Sequence, residues 1–80
     1  MKKGALPISP VSFFGMKELG RAIRKIRKAR GMTQAYLAMQ TGTSQRFISQ
    51  VENGKESAEM GKVLLLIRLL DFETQLVEIK

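Results

Sequence analysis

Eighty residues with neither Cys nor His allow one domain with one modest core, and they exclude disulfides, the usual zinc sites and His- or Cys-based catalysis. Fourteen Lys and Arg against seven Asp and Glu give a formal net charge of +7, an excess that attracts polyanions: nucleic acid, an acidic protein or an anionic membrane. So small a domain is marginally stable by itself, which makes a second subunit the expected staple, and the lack of Cys fits the cytoplasm.

Residues 1–14 hold both prolines and little helical periodicity, and are read as an irregular N-terminal arm ahead of a domain over 15–80. Lys2-Lys3 before the mildly apolar stretch Ala5 to Phe14 imitates a secretory signal, but Pro7, Ser9, Pro10 and Ser12 interrupt it and no small-residue cleavage site follows. The longest apolar run, Val63 to Ile67, is far short of the ~20 residues that cross a bilayer. The reading is a soluble, unexported protein.

From about Met16 to Arg30, Met16, Leu19, Ala22, Ile23, Ile26 and Ala29 recur in steps of three and four, one stripe of a first helix. Lys17, Arg21, Arg24, Lys25 and Lys28 mostly cover its other side. Gly31 suits the left-handed residue that ends a helix. Thr33 is the expected N-cap of a short second helix to about Gln40 or Thr41, with Leu37 and Ala38 inward and Gly42 as its stop. Ser44 caps a third helix, about Gln45 to Glu52, anchored by Phe47 or Ile48 and by Val51, and Asn53-Gly54 stops it.

A fourth helix is expected over about Ala58 to Leu70, with Met60, Val63, Leu64, Ile67 and Leu70 along one face. Leu65, Leu66 and Leu69 widen its apolar sector beyond one face, a surplus that a subunit interface would cover. The tail Glu73-Thr74-Gln75-Leu76-Val77-Glu78-Ile79 alternates in part and is rich enough in β-branched residues to read as a short strand. Its backbone groups would find partners in the same strand of a second molecule across a two-fold axis.

Two short helices joined by a tight turn containing Gly42 have the form of a helix-turn-helix unit, Gln34 to Asn53. Ala38 is small where the next helix crosses; Ile48 and Val51 tie that helix to the core. The same packing leaves Gln45, Arg46, Ser49 and Gln50 outward at the end of a recognition helix that enters the major groove. Gln can pair bidentately with adenine and Arg with guanine. Scattered carboxylates, the absence of a Gly-rich phosphate loop and the lack of any nucleophile beside a base argue against an enzyme, and no cofactor or small-molecule substrate is expected. The cationic helix at 17–30 raises a membrane reading, but its apolar stripe is needed to cover the other helices.

On these residues, and above all on Arg30-Gly31-Met32-Thr33-Gln34-Ala35-Tyr36-Leu37-Ala38 and Ser44 to Lys55, the chain resembles the Xre/Cro-type helix-turn-helix family from Leu19 to about Ile79. The resemblance implies a mainly α, four- to five-helix domain like that of lambda repressor, with a C-terminal strand at about 72–79 pairing across a dimer. It implies base contacts from Gln45, Arg46 and Gln50, and contacts to the DNA backbone from Gln34, Thr43, Ser44, Ser49, Asn53 and Lys55. It also implies a structural clamp between Arg27 and Glu52. The border position of Arg27 beside the apolar stripe, and of Glu52 beside Val51, independently suits a partly buried pair.

The segment Ala58 to Leu64, then Leu69-Leu70 and the terminal strand, further resembles the HipB-type antitoxins. That subgroup implies a homodimer that represses its own operon at operator DNA and restrains a HipA-like kinase toxin. Two alternatives stand beside it: a repressor without a toxin, and a toxin-neutralising module that does not bind DNA.

Overall fold

A computed structural model describes residues 10–79; residues 1–9 of the expected arm, and Lys80, lie outside the described residues. Four helices follow in order: α1 (Met16–Ala29), α2 (Gln34–Thr41), α3 (Gln45–Glu52) and α4 (Met60–Leu69). α1 packs on α3, and α2 packs on both α3 and α4.

Local chemistry fixes where each helix begins and ends. Gly15 precedes α1 without a side-chain cap. Instead Glu18 of the first turn accepts the Phe14 N–H at 3.1 Å, which places its carboxylate at the positive end of the helix dipole. Thr33 and Ser44 cap α2 and α3, accepting the N–H groups of Tyr36 and Phe47, each at 3.0 Å. Gly42 takes φ +68°, the left-handed turn between α2 and α3 where a side chain would be strained. Thr33→Ala should lower stability by about 1 kcal/mol, by removing the cap, and a urea melt should show the shift.

α4 starts at Met60, two residues later than expected, because the Ala58 N–H is bonded to the Lys55 carbonyl in the preceding turn. It closes on Leu70, after which Asp71 adopts φ +67°. The N–H groups of Asp71 and Phe72 then bond back to the Arg68 and Ile67 carbonyls, the paired closure that satisfies a helix C-terminus.

The core comprises Leu19, Ile23 and Ile26 of α1, Leu37 and Ala38 of α2, Ile48 and Val51 of α3, and Val63, Leu66, Ile67 and Leu70 around α4. Of the two candidates in α3, Ile48 is the fully buried one and Phe47 packs half-buried at its edge. The α4 stripe corrects the sequence expectation. Leu66, not Leu64, completes it with Val63, Ile67 and Leu70, while Met60, Leu64 and Leu65 remain exposed. In a run of consecutive leucines, spacing cannot decide which one faces in; the position of α2 does.

The expected strand at 72–79 is not formed in the single chain. Among the described residues there is no strand, and Leu76, Val77 and Ile79 stand almost fully exposed. A strand exists only through backbone bonds to a neighbour, and the described residues supply none. No helix of the described residues is long and apolar enough to cross a membrane, and among the described residues no group of His, Cys, Asp or Glu could hold a metal ion.

Candidate nucleic-acid interface

The surface carrying Gln45 and Arg46 is built on a backbone contact between α1 and α3. A Cβ added to Gly20 would lie 2.1 Å from the Val51 carbonyl oxygen and 3.0 Å from that of Glu52, so only glycine lets the two helices approach so closely. Gly54, at φ +84°, repeats this just past α3, where an added Cβ would come within 2.9 Å of the Lys17 Cα. Ile48 and Val51 are completely buried and pin α3 from its inner face. The helix is thereby held by one side, and its other side is left to solvent.

Arg27 and Glu52 tie the three helices at this junction. Arg27 Nε donates to Glu52 Oε2 at 2.6 Å and Nη2 to Oε1 at 3.1 Å, a two-point pair between buried side chains. Nη1 donates to the Met32 carbonyl at 2.7 Å, and Gln34 Nε2 donates to Glu52 Oε1 at 3.0 Å. Each charged group has several partners, which a buried ion pair requires if it is not to be a net cost. Arg24, Arg27, Gln34, Glu52 and Asn53 line a polar cleft over this network.

The residues expected at DNA occupy different settings. Gln45 and Arg46 are exposed on the first turn of α3, and Gln50 is half-buried one turn later. Ser44 and Lys55 are exposed at either end of the helix. Ser44 Oγ only accepts in its capping bond, so its proton is available to another acceptor. The Asn53 amide donates to the Ser49 carbonyl at 2.9 Å and reaches Ser49 Oγ at 3.5 Å, which joins these two residues. Gln34 is anchored on Glu52, yet an amide nitrogen carries two protons and this bond uses one.

Thr43 is placed differently. Thr41 directs its proton to the Leu37 carbonyl at 2.9 Å, so in the 2.9 Å bond between the two hydroxyls Thr43 is the donor. Its hydroxyl is turned toward α2, away from the role of a free donor.

Gly20 and Arg24 belong to this site although the sequence marks neither for it: Arg24 is expected only on the outer side of the first helix. An isolated glycine inside a helical pattern is a signal of close approach; Arg24 carried no signal beyond its charge.

The helix-turn-helix family model matches residues 23–77. The chain belongs to this family. An uncharacterised HTH-type transcriptional regulator of Sinorhizobium fredii is 38% identical over 53 residues, which span 66% of this chain and 70% of that relative. Among solved structures, a HipB variant in an "O2 20mer complex" superposes with a TM-score of 0.81 and 26% identity, covering 90% of this chain and all of that one. The "HipA-HipB-O2-O3 complex" matches with a TM-score of 0.79 and 24% identity over 88% and 99% of the two chains. This helix-turn-helix regulator therefore has the HipB-type fold.

Proposed function

We propose that the protein is a homodimeric, sequence-specific repressor that reads operator DNA with Gln45, Arg46 and Gln50 and acts as the antitoxin of a kinase-type toxin. The observation that carries the DNA reading is the pinning of α3. Its inner residues Ile48 and Val51 are fully buried while Gln45 and Arg46 stand exposed on the first turn, the disposition a helix needs to lay its N-terminal turn in the major groove. The likeness to HipB in complex with a 20mer supports it.

Gln34, Ser44, Ser49, Asn53 and Lys55 then border the groove as phosphate contacts, and Thr43 joins them once its hydroxyl turns outward from Thr41. Dimerisation completes the site, because a single α3 reads only one half of a near-palindrome. The exposed tail Leu76, Val77 and Ile79 supplies the second subunit's strand partner, and the exposed Leu64 and Leu65 of α4 supply apolar area to the same interface. The antitoxin role rests on the sequence resemblance and on the shared fold with the HipB of a HipA-HipB complex.

Gln45→Ala and Arg46→Ala should each weaken binding to the protein's own upstream DNA by ~1–3 kcal/mol and relax specificity at one base pair each. Fluorescence anisotropy on wild-type and singly substituted duplexes measures both. Wild-type affinity in both variants would remove α3 from the groove. For the antitoxin role, co-expression with the product of the adjacent gene should give a stable complex in which that kinase is silent; an active kinase that does not co-purify would leave a stand-alone repressor.

A further inference from the structure

The function proposed above uses the recognition helix and the cleft beside it, and it leaves the outer face of α1 unassigned. At about 100° per residue, Lys17, Arg21, Arg24, Lys25 and Lys28 fall within a sector roughly 100° wide. All five are exposed. Among the described residues none of them enters an ion pair; the pairs present are Arg27–Glu52, Arg30–Asp71 and Lys62–Glu59. The single carboxylate of the helix, Glu18, borders the sector and is bonded to the Phe14 N–H.

Such a stripe is unfavourable to the folded protein. Lys17 with Arg21, Arg21 with Lys25 and Arg24 with Lys28 are like charges at i, i+4, the spacing at which like charges destabilise a helix and opposite charges support it. An ordinary solvated face mixes the signs. Here the repulsion persists until a polyanion relieves it.

We infer that this stripe is a second DNA-contacting surface, which holds the phosphate backbone of duplex flanking the half-site that α3 reads. The inference rests on the DNA-binding function proposed above. Continuity selects DNA over an acidic protein: Arg24 belongs both to the stripe and to the polar cleft, where it stands with Gln34 and Asn53, two of the proposed phosphate contacts. From there the stripe runs along α1 in both directions. From Lys17 to Lys28 it spans about 16 Å, the length of roughly five base pairs. No base is read there, so the stripe adds affinity and salt dependence without adding specificity.

The experiment compares the full-length protein with the triple variant Arg21→Gln, Lys25→Gln, Lys28→Gln, which leaves Arg24 of the cleft in place, on two duplexes across a salt series. One duplex is an arbitrary sequence of about 40 base pairs, roughly four helical turns; the other carries the protein's own upstream region at equal length. On both, the slope of log affinity against log salt should fall in magnitude by roughly 2–3, about 0.9 for each phosphate that the variant no longer neutralises. The preference for the upstream duplex over the arbitrary one should be unchanged. The free variant should melt no lower than the wild type, since like-charge repulsion has been removed, which separates a binding surface from a structural one.

An unchanged salt slope, in a variant that melts normally, would overturn the inference. So would a stripe required for binding an acidic partner protein but not for either duplex. The two proposals fail separately: absence of preference for the upstream duplex speaks against base reading by α3, whereas the change of slope tests the stripe.

Discussion

Gly20→Ala should destabilise the protein by about 2–3 kcal/mol, although alanine is the better helix former. The substitution gains ~1 kcal/mol of helix propensity in the interior of α1. Against this, the new methyl would sit 2.1 Å from the Val51 carbonyl oxygen and 3.0 Å from the Glu52 carbonyl, and these atoms belong to helix backbone that cannot rotate away. Relief requires α1 and α3 to part, which loosens Ile23, Ile48 and Val51 together, so the cost lies just above the range typical of overpacking, at ~3–4 kcal/mol. For a domain of this size the destabilisation lowers the melting temperature by roughly 10–20 °C. Thermal melts of wild type and variant at matched protein concentration check it, since dimerisation contributes to the midpoint. An unchanged or raised midpoint would mean that the helices are not in backbone contact there.

The Arg27–Glu52 pair gives the second large effect, and its signature is non-additive. Glu52→Ala leaves the buried Arg27 guanidinium with only the Met32 carbonyl, and Arg27→Ala leaves the Glu52 carboxylate with only the Gln34 amide. Each should cost ~3–5 kcal/mol, because an uncompensated charge stays buried. Arg27→Met combined with Glu52→Leu removes both charges and keeps most of the volume, so it should cost clearly less than either single change to alanine. Urea melts of the wild type and the three variants make the comparison. The double variant should nevertheless bind DNA more weakly than the wild type, since Gln34 is deprived of the carboxylate that positions its amide. If the double variant were as unstable as the sum of the two alanine variants, the pair would not be coupled as the 2.6 Å contact implies.

Much of the fold was legible because short helices in a small domain are punctuated by residues with one job each. Thr33, Ser44 and Gly42 marked the limits of α2 and α3 by capping and turn chemistry, and the sequence limits of α3, Gln45 to Glu52, are those observed. The single apolar stripe of α1 was equally plain. Legibility failed where the decision lies in tertiary packing. Three consecutive leucines, Leu64 to Leu66, left the buried one undetermined until α2 was in place, and it proved to be Leu66 rather than Leu64.

The terminal segment forms no strand in the single chain for another reason. Its residue pattern asks for a strand, but a strand is a property of two segments, and among the described residues no second segment pairs with it. In the candidate site, residue type and spacing located the exposed turn of α3 but gave no view of hydrogen bonds. Gln34 was expected at a phosphate and is held by Glu52; Thr43 was expected as a backbone contact and is turned toward Thr41. Neither tie could be seen without the fold that brings those residues together.

A footprint of the protein on its own upstream DNA tests the central claim most directly. If α3 reads bases as one of a pair, protection should appear as two symmetric half-sites about one helical turn, or ~34 Å, apart. Arg46→Ala should weaken protection at corresponding positions of both half-sites, and scrambling those positions should weaken the wild type to the same degree. Uniform coating without half-sites, equally strong on scrambled DNA and indifferent to Arg46, would contradict sequence-specific reading by this helix.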